Sequence, residues 1–90
     1  MQINIRGNAA GTLSVSGTAA QTAVLDGGLY DVWATVDVYV KTGGTANDVT
    51  AANGYLIRIG ETLPSLVVQA GDKIGAIAGS AGTLSYHKVL

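Results

Sequence analysis

No stretch of this chain keeps the 3.6-residue apolar period of a helix for long. Short alternating runs recur instead, cut by Gly, Asn and Asp. "QINIR" (2–6) ends at Gly7-Asn8, "TLSVS" (12–16) alternates cleanly, and "QTAVL" (21–25) stops at Asp26-Gly27-Gly28. A long run over 29–41 closes at Gly43-Gly44; "YLIRI" (55–59), "SLVVQA" (65–70), "KIGAIAG" (73–79) and "TLSYHKV" (83–89) follow. The polar segment 45–54 reads as a loop, and Pro64 keeps 62–65 out of a central ladder, because proline has no N–H to give. About eight short strands at this spacing predict an all-β fold, an antiparallel two-layer β-sandwich over a single domain, 1–90. A jelly-roll-like strand order is one form it takes; the strand signals alone do not choose an order.

Two features bear on how the strands are used. In the run 31–41, Val32, Ala34, Val36, Val38 and Val40 fall on one face. Asp31, Trp33, Thr35, Asp37, Tyr39 and Lys41 fall on the other. The run is either one bent strand or two strands with a bulge near Ala34-Thr35. "GTLS" occurs twice, at 11–14 and 82–85. Four matching residues read as two similar strand starts after a Gly turn, not as a duplicated half-domain.

Composition says how such strands gain stability. The chain has 90 residues, 48% hydrophobic and 12% charged, with a net charge of -1 and a mean hydropathy of +0.36. A domain this small buries only about 60–65% of its unfolded surface. With no Cys, neither disulfides nor a Cys-rich zinc site reinforces it, and the single His rules out a multi-His metal site. Association with another chain is the remaining source of burial. No basic run marks a nucleic-acid partner, and no apolar stretch approaches a membrane-spanning length. "MQINIRGNAAGTLSVSG" lacks a basic segment followed by an apolar one, so a secretory leader is not expected and synthesis in the cytoplasm is.

Candidate chemistry is sparse. His87 and Ser85 lie two apart in one strand, pointing the same way without the geometry of a nucleophile and its base. Asp31 and Asp37, if the run is unbroken, stand about 20 Å apart, too far to share acid and base roles. "TANDVTAANG" offers Asp48, Asn47 and Asn53 but not the regular acidic spacing of a calcium loop. "KTGG" and "GSAG" lack the ending of a phosphate loop and read as turns. No catalytic residue, cofactor or metal is therefore expected. The face carrying Trp33, Thr35, Asp37 and Tyr39 has three readings: a subunit interface, internal packing, or a platform for a sugar ligand. As an interface it would include Trp33, Asp37 and Tyr39, joined by Tyr86 and His87.

Three segments, "GLYDVWATVDVYVKTG", "NGYLIRIGETL" and "VQAGDKIGAIAGSAGTLSYHKV", form a pattern. It resembles small β-sandwich proteins encoded among bacteriophage and prophage virion genes, near those for capsid and head proteins, and the likeness covers roughly 11–90. The resemblance implies a capsid decoration or cement subunit, or an accessory head or tail piece, set as a symmetric oligomer on a repeating lattice. The expected partners are further copies of the chain, with a trimer favoured, and the major capsid protein or another virion protein. The expected location is the virion. The alternative is a carbohydrate-binding or host-adhesion β-sandwich on a virion surface.

Overall fold

The computed structural model describes residues 10–90; the run at 2–6 lies outside them. Eight strands follow one another: β1 (Ala10–Val15), β2 (Ala20–Gln21), β3 (Gly28–Ala34), β4 (Val38–Gly43), β5 (Tyr55–Ile57), β6 (Thr62–Val68), β7 (Lys73–Ala78) and β8 (Gly82–Lys88). They form two four-stranded sheets, β1-β8-β3-β6 and β2-β7-β4-β5. Every pairing is antiparallel. The first strand pairs with the last, the second with the seventh, the third with the sixth and the fourth with the fifth. A long folded ribbon rolled on itself gives this arrangement, which is the strand order of a jelly roll.

The run 29–41 is two strands in two different sheets. Tyr30, Val32 and Ala34 point into the sandwich from β3, and Val38 and Val40 from β4, so the apolar alternation survives the change of sheet. The corner at 35–37 is fastened on both sides. Thr35 N–H donates to the Thr83 carbonyl at 3.0 Å, and Thr83 N–H donates to Thr35 Oγ1 at 2.9 Å. Asp37 Oδ1 accepts the Ile59 N–H at 2.7 Å.

The core lies between the sheets. Its largest fully buried side chains are Tyr30, Ile74, Leu84, Val32, Val38 and Val68. With no Phe in the chain, the bulky core places fall to Tyr30 and Tyr86, whose rings sit 6.3 Å apart. The Tyr30 hydroxyl donates to the Asp26 carbonyl at 2.8 Å, which satisfies its polar end. Burial, then Asp26 and Tyr86, hold the Tyr30 phenol above its ordinary pKa.

Three segments differ in extent from their sequence signals. "QTAVL" keeps regular pairing only over Ala20–Gln21, and irregular bonds carry the chain on against β7, with Thr22 N–H to Ile74 O and Leu25 N–H to Asp72 O, each 2.9 Å. β6 begins at Thr62, ahead of Pro64, because it is an edge strand and needs no outward N–H there. Its register slips opposite Tyr30/Val32, beside Ser65, which has a φ of 56°. Loop 45–54 is polar in composition yet buries Ala46 and Val49. It packs onto Gly75, where a Cβ would run into the Ala46 carbonyl. Gln21 Oε1 accepts the Ala46 N–H at 2.9 Å.

Candidate functional site

The side chains with most chemistry gather on the outer face of the β1-β8-β3-β6 sheet. Strand alternation sends Tyr30 and Val32 inward, so Asp31 and Trp33 stand outward from β3. Cross-strand register decides their neighbours. Trp33 lies level with Ser85 on one side and Thr62 on the other; Asp31 lies level with His87. The Trp33 and His87 rings meet edge to face, centroids 5.1 Å apart at 68°. His87 Nε2 lies 3.9 Å from Asp31 Oδ2, while Asp31 Oδ1 accepts the Ser65 N–H at 3.2 Å. An open depression of about 400 Å³ adjoins this group, bounded by Trp33, His87, Ser85 and the Ala10–Thr12 stretch of β1. Its walls are mainly apolar. Tyr86 borders it from beneath: its side chain points inward and lies across Gly11, its partner in the ladder, where a Cβ would lie 2.7 Å from the Tyr86 hydroxyl. Burial holds the Tyr86 phenol pKa above its ordinary value.

Trp33 and His87 therefore meet at one place; Tyr86, which alternates with His87, points inward level with Val32 and belongs to the core, and Asp37 and Tyr39 do not join the pair either. The expectation that Trp33, Asp37 and Tyr39 share a face is corrected by the corner at 35–37. Once the chain has crossed to the other sheet, the same alternation points Tyr39 out of the opposite side of the sandwich. There it borders a smaller depression, about 230 Å³, with Ala51 and Ile77. Asp37 sits at the corner itself and is engaged by the Ile59 N–H. The spacing estimate for Asp31 and Asp37 assumed an unbroken run and does not apply to this bent one.

Two contacts at the site escaped the sequence reading. Asp31 meets His87 only through the β3-β8 register, and nothing local to either residue announces it. Tyr86 lies across Gly11, which in the sequence looks like one more turn glycine. Ser85 and His87 do share a face, as expected, about 7 Å apart along the strand. No hydrogen bond joins their side chains among the described residues. Several polar atoms of loop 45–54 are held by bonds within the loop or to the adjoining strand β4. Asp48 pairs with Lys41 Nζ at 2.7 Å, which lowers its carboxyl pKa, and Asn53 Oδ1 accepts the Thr50 N–H at 2.7 Å. Among the described residues no three His, Cys, Asp or Glu side chains cluster closely enough to hold a metal ion. Among them, too, no helix is long and apolar enough to cross a membrane. Comparison with protein-family models, characterised proteins and solved structures finds no match to the chain.

Proposed function

We propose that the chain is a non-catalytic structural subunit of a phage virion, a capsid decoration or cement protein that docks on the shell through the outer face centred on Trp33. One observation carries the docking surface. The only Trp is placed outward in a chain that has no Phe and fills its own core with Tyr30 and Tyr86. A monomer gains little from that placement. An interface gains a large rigid anchor of the kind that dominates binding energy. The rest of the face suits the role: Ser85 and Thr62 flank the ring, and Leu29 with the exposed Val67 continue the apolar surface toward one end of the sheet. The assignment to a virion, and to a homo-oligomer, rests on the resemblance of the strand and turn pattern to phage virion proteins. The jelly-roll order is compatible with it, since capsid and lectin domains both use that fold and fold alone chooses neither.

The test is removal of the chain from the phage that encodes it. Particles should lose a 9.1 kDa component and lose resistance to heat and osmotic shock. Unchanged particles that never contained the component would overturn the proposal.

A second reading is favoured by Asp31 and His87 lying beside Trp33. A ring to stack on, with a carboxylate and an imidazole at its edge, suits a sugar. Titration of Trp33 fluorescence with a panel of oligosaccharides separates the two: saturable quenching supports the sugar platform, and its absence leaves the docking role.

A further inference from the structure

The four edges of the two sheets are treated differently. β2 offers two residues and β5 three. β6 is blunted by Pro64 and by the register slip beside Ser65. β1 has six residues, Ala-Gly-Thr-Leu-Ser-Val, with no charge, no proline and no bulge, and among the described residues nothing pairs with its outer side.

Backbone bonding shows which groups that side presents. Val89 N–H donates to Leu29 O at 2.8 Å and Thr35 N–H to Thr83 O at 3.0 Å. Odd-numbered residues of β8 thus turn their backbone groups toward β3, and Gly82, Leu84 and Tyr86 turn theirs toward β1. Their partners Val15, Leu13 and Gly11 are engaged by β8. Thr12 and Ser14 direct N–H and C=O to the open edge, with exposed side chains on the outer face.

The repeated "GTLS" identifies what fits there. β8 lays its copy against β1 antiparallel: Gly82 opposite Val15, Thr83 opposite Ser14, Leu84 opposite Leu13, Ser85 opposite Thr12. The β1 segment 11–14 is the same four residues. We propose that β1 pairs antiparallel with β1 of a second copy, on a two-fold axis through Leu13. Gly11 of the second copy then lies opposite Val15, its Thr12 opposite Ser14, and its Leu13 opposite Leu13. This repeats the residue register β8 already makes, with the hydrogen-bonded and non-hydrogen-bonded positions exchanged. The register sets the free groups of Thr12 and Ser14 against each other as hydrogen-bonded pairs. Leu13 then meets its mate in the closer, non-hydrogen-bonded position, where side chains touch most. The product is a closed dimer with one continuous eight-stranded sheet. Its two Trp33 strands lie on one face, five strand spacings or about 24 Å apart across the sheet. The contact stands on the strand edge and does not need the virion reading.

Light scattering and sedimentation of the full chain over a dilution series test it, beside S14P and the T12K/S14K double variant. S14P removes an outward N–H without touching a bond to β8, and the double variant sets like charges opposite each other. The wild type should show twice 9.1 kDa, or another even multiple, and both variants half the wild-type mass with unchanged circular dichroism. A wild type that is monomeric at millimolar concentration or odd-numbered, or variants that keep its mass, would overturn the contact. Amide exchange on the wild type decides if a variant fails to fold: Thr12 and Ser14 should become protected as concentration rises, and uniformly fast exchange there rejects the pairing.

Discussion

Trp33 and His87 meet edge to face with ring centroids 5.1 Å apart, and Asp31 Oδ2 lies 3.9 Å from Nε2 of the same imidazole. The three come from two neighbouring strands in fixed register. Asp31 is itself held by the Ser65 N–H from β6, so the arrangement spans three strands. An aromatic ring braced in this way loses little rotamer freedom when a partner covers it. That is one reason a half-exposed ring serves a docking face better than a free one.

Trp33→Ala should therefore separate folding from docking. The ring lies outside the sandwich, and its removal should cost about 1 kcal/mol in urea unfolding, against roughly 3–5 kcal/mol for a Trp inside a core. Binding to shells or to a sugar should be lost. A large fall in stability with binding retained would make the ring a packing element.

Asp37→Ala should do the reverse. Its carboxylate takes the Ile59 N–H at 2.7 Å and ties the corner between β3 and β4 to the chain after β5. Loss of that exposed, charge-assisted bond should lower stability by about 1 kcal/mol in urea unfolding and leave docking at Trp33 unchanged. A docking defect as deep as that of Trp33→Ala would return Asp37 to the interface.

These two residues also mark where sequence reasoning stops. The core face was legible through the corner, because Val32, Ala34, Val38 and Val40 obey one alternation whichever sheet they join. The outer face was not, because alternation fixes in and out but not which sheet a strand enters. Trp33 and Tyr39 looked like neighbours and point out of opposite sides. The "GTLS" echo was visible as a repeat, but its antiparallel pairing depends on the last strand returning to the first, which no local signal encodes. The Asp31–His87 approach depends likewise on β8 pairing with β3 on its other side.

Gly75→Ala should be among the most damaging single changes. An added methyl meets the Ala46 carbonyl, a backbone group with no rotamer to yield. Loop 45–54 would have to lift, withdrawing Ala46 from Gln21 and exposing Val49. A loss of about 2–3 kcal/mol is expected, against the few tenths that an Ala for Gly in an unstrained strand would gain. Gln21→Ala, which leaves only the Ala46 N–H unpartnered, should cost about 1 kcal/mol. Urea unfolding of both variants checks the order; a harmless Gly75→Ala would mean the loop is not seated on β7.

Alkaline pH should reveal the buried tyrosines. Burial raises the phenol pKa of both Tyr30 and Tyr86 above 10.0, with Asp26 and Tyr86 adding to the effect at Tyr30. The fold thus favours the neutral phenol, and between the ordinary value and the raised one the folded chain holds more protons than the unfolded one. Stability from this source is full below pH 10 and falls as pH climbs through the raised values. Tyr30→Phe keeps the ring and gives up the bond to the Asp26 carbonyl, so it should be about 1 kcal/mol less stable at neutral pH. Its stability should then fall less steeply above pH 10, because one of the two groups that must ionise is gone. Urea unfolding of wild type and variant from pH 7 to 11 measures both effects. Parallel curves over that range would mean that Tyr30 ionises without regard to the fold.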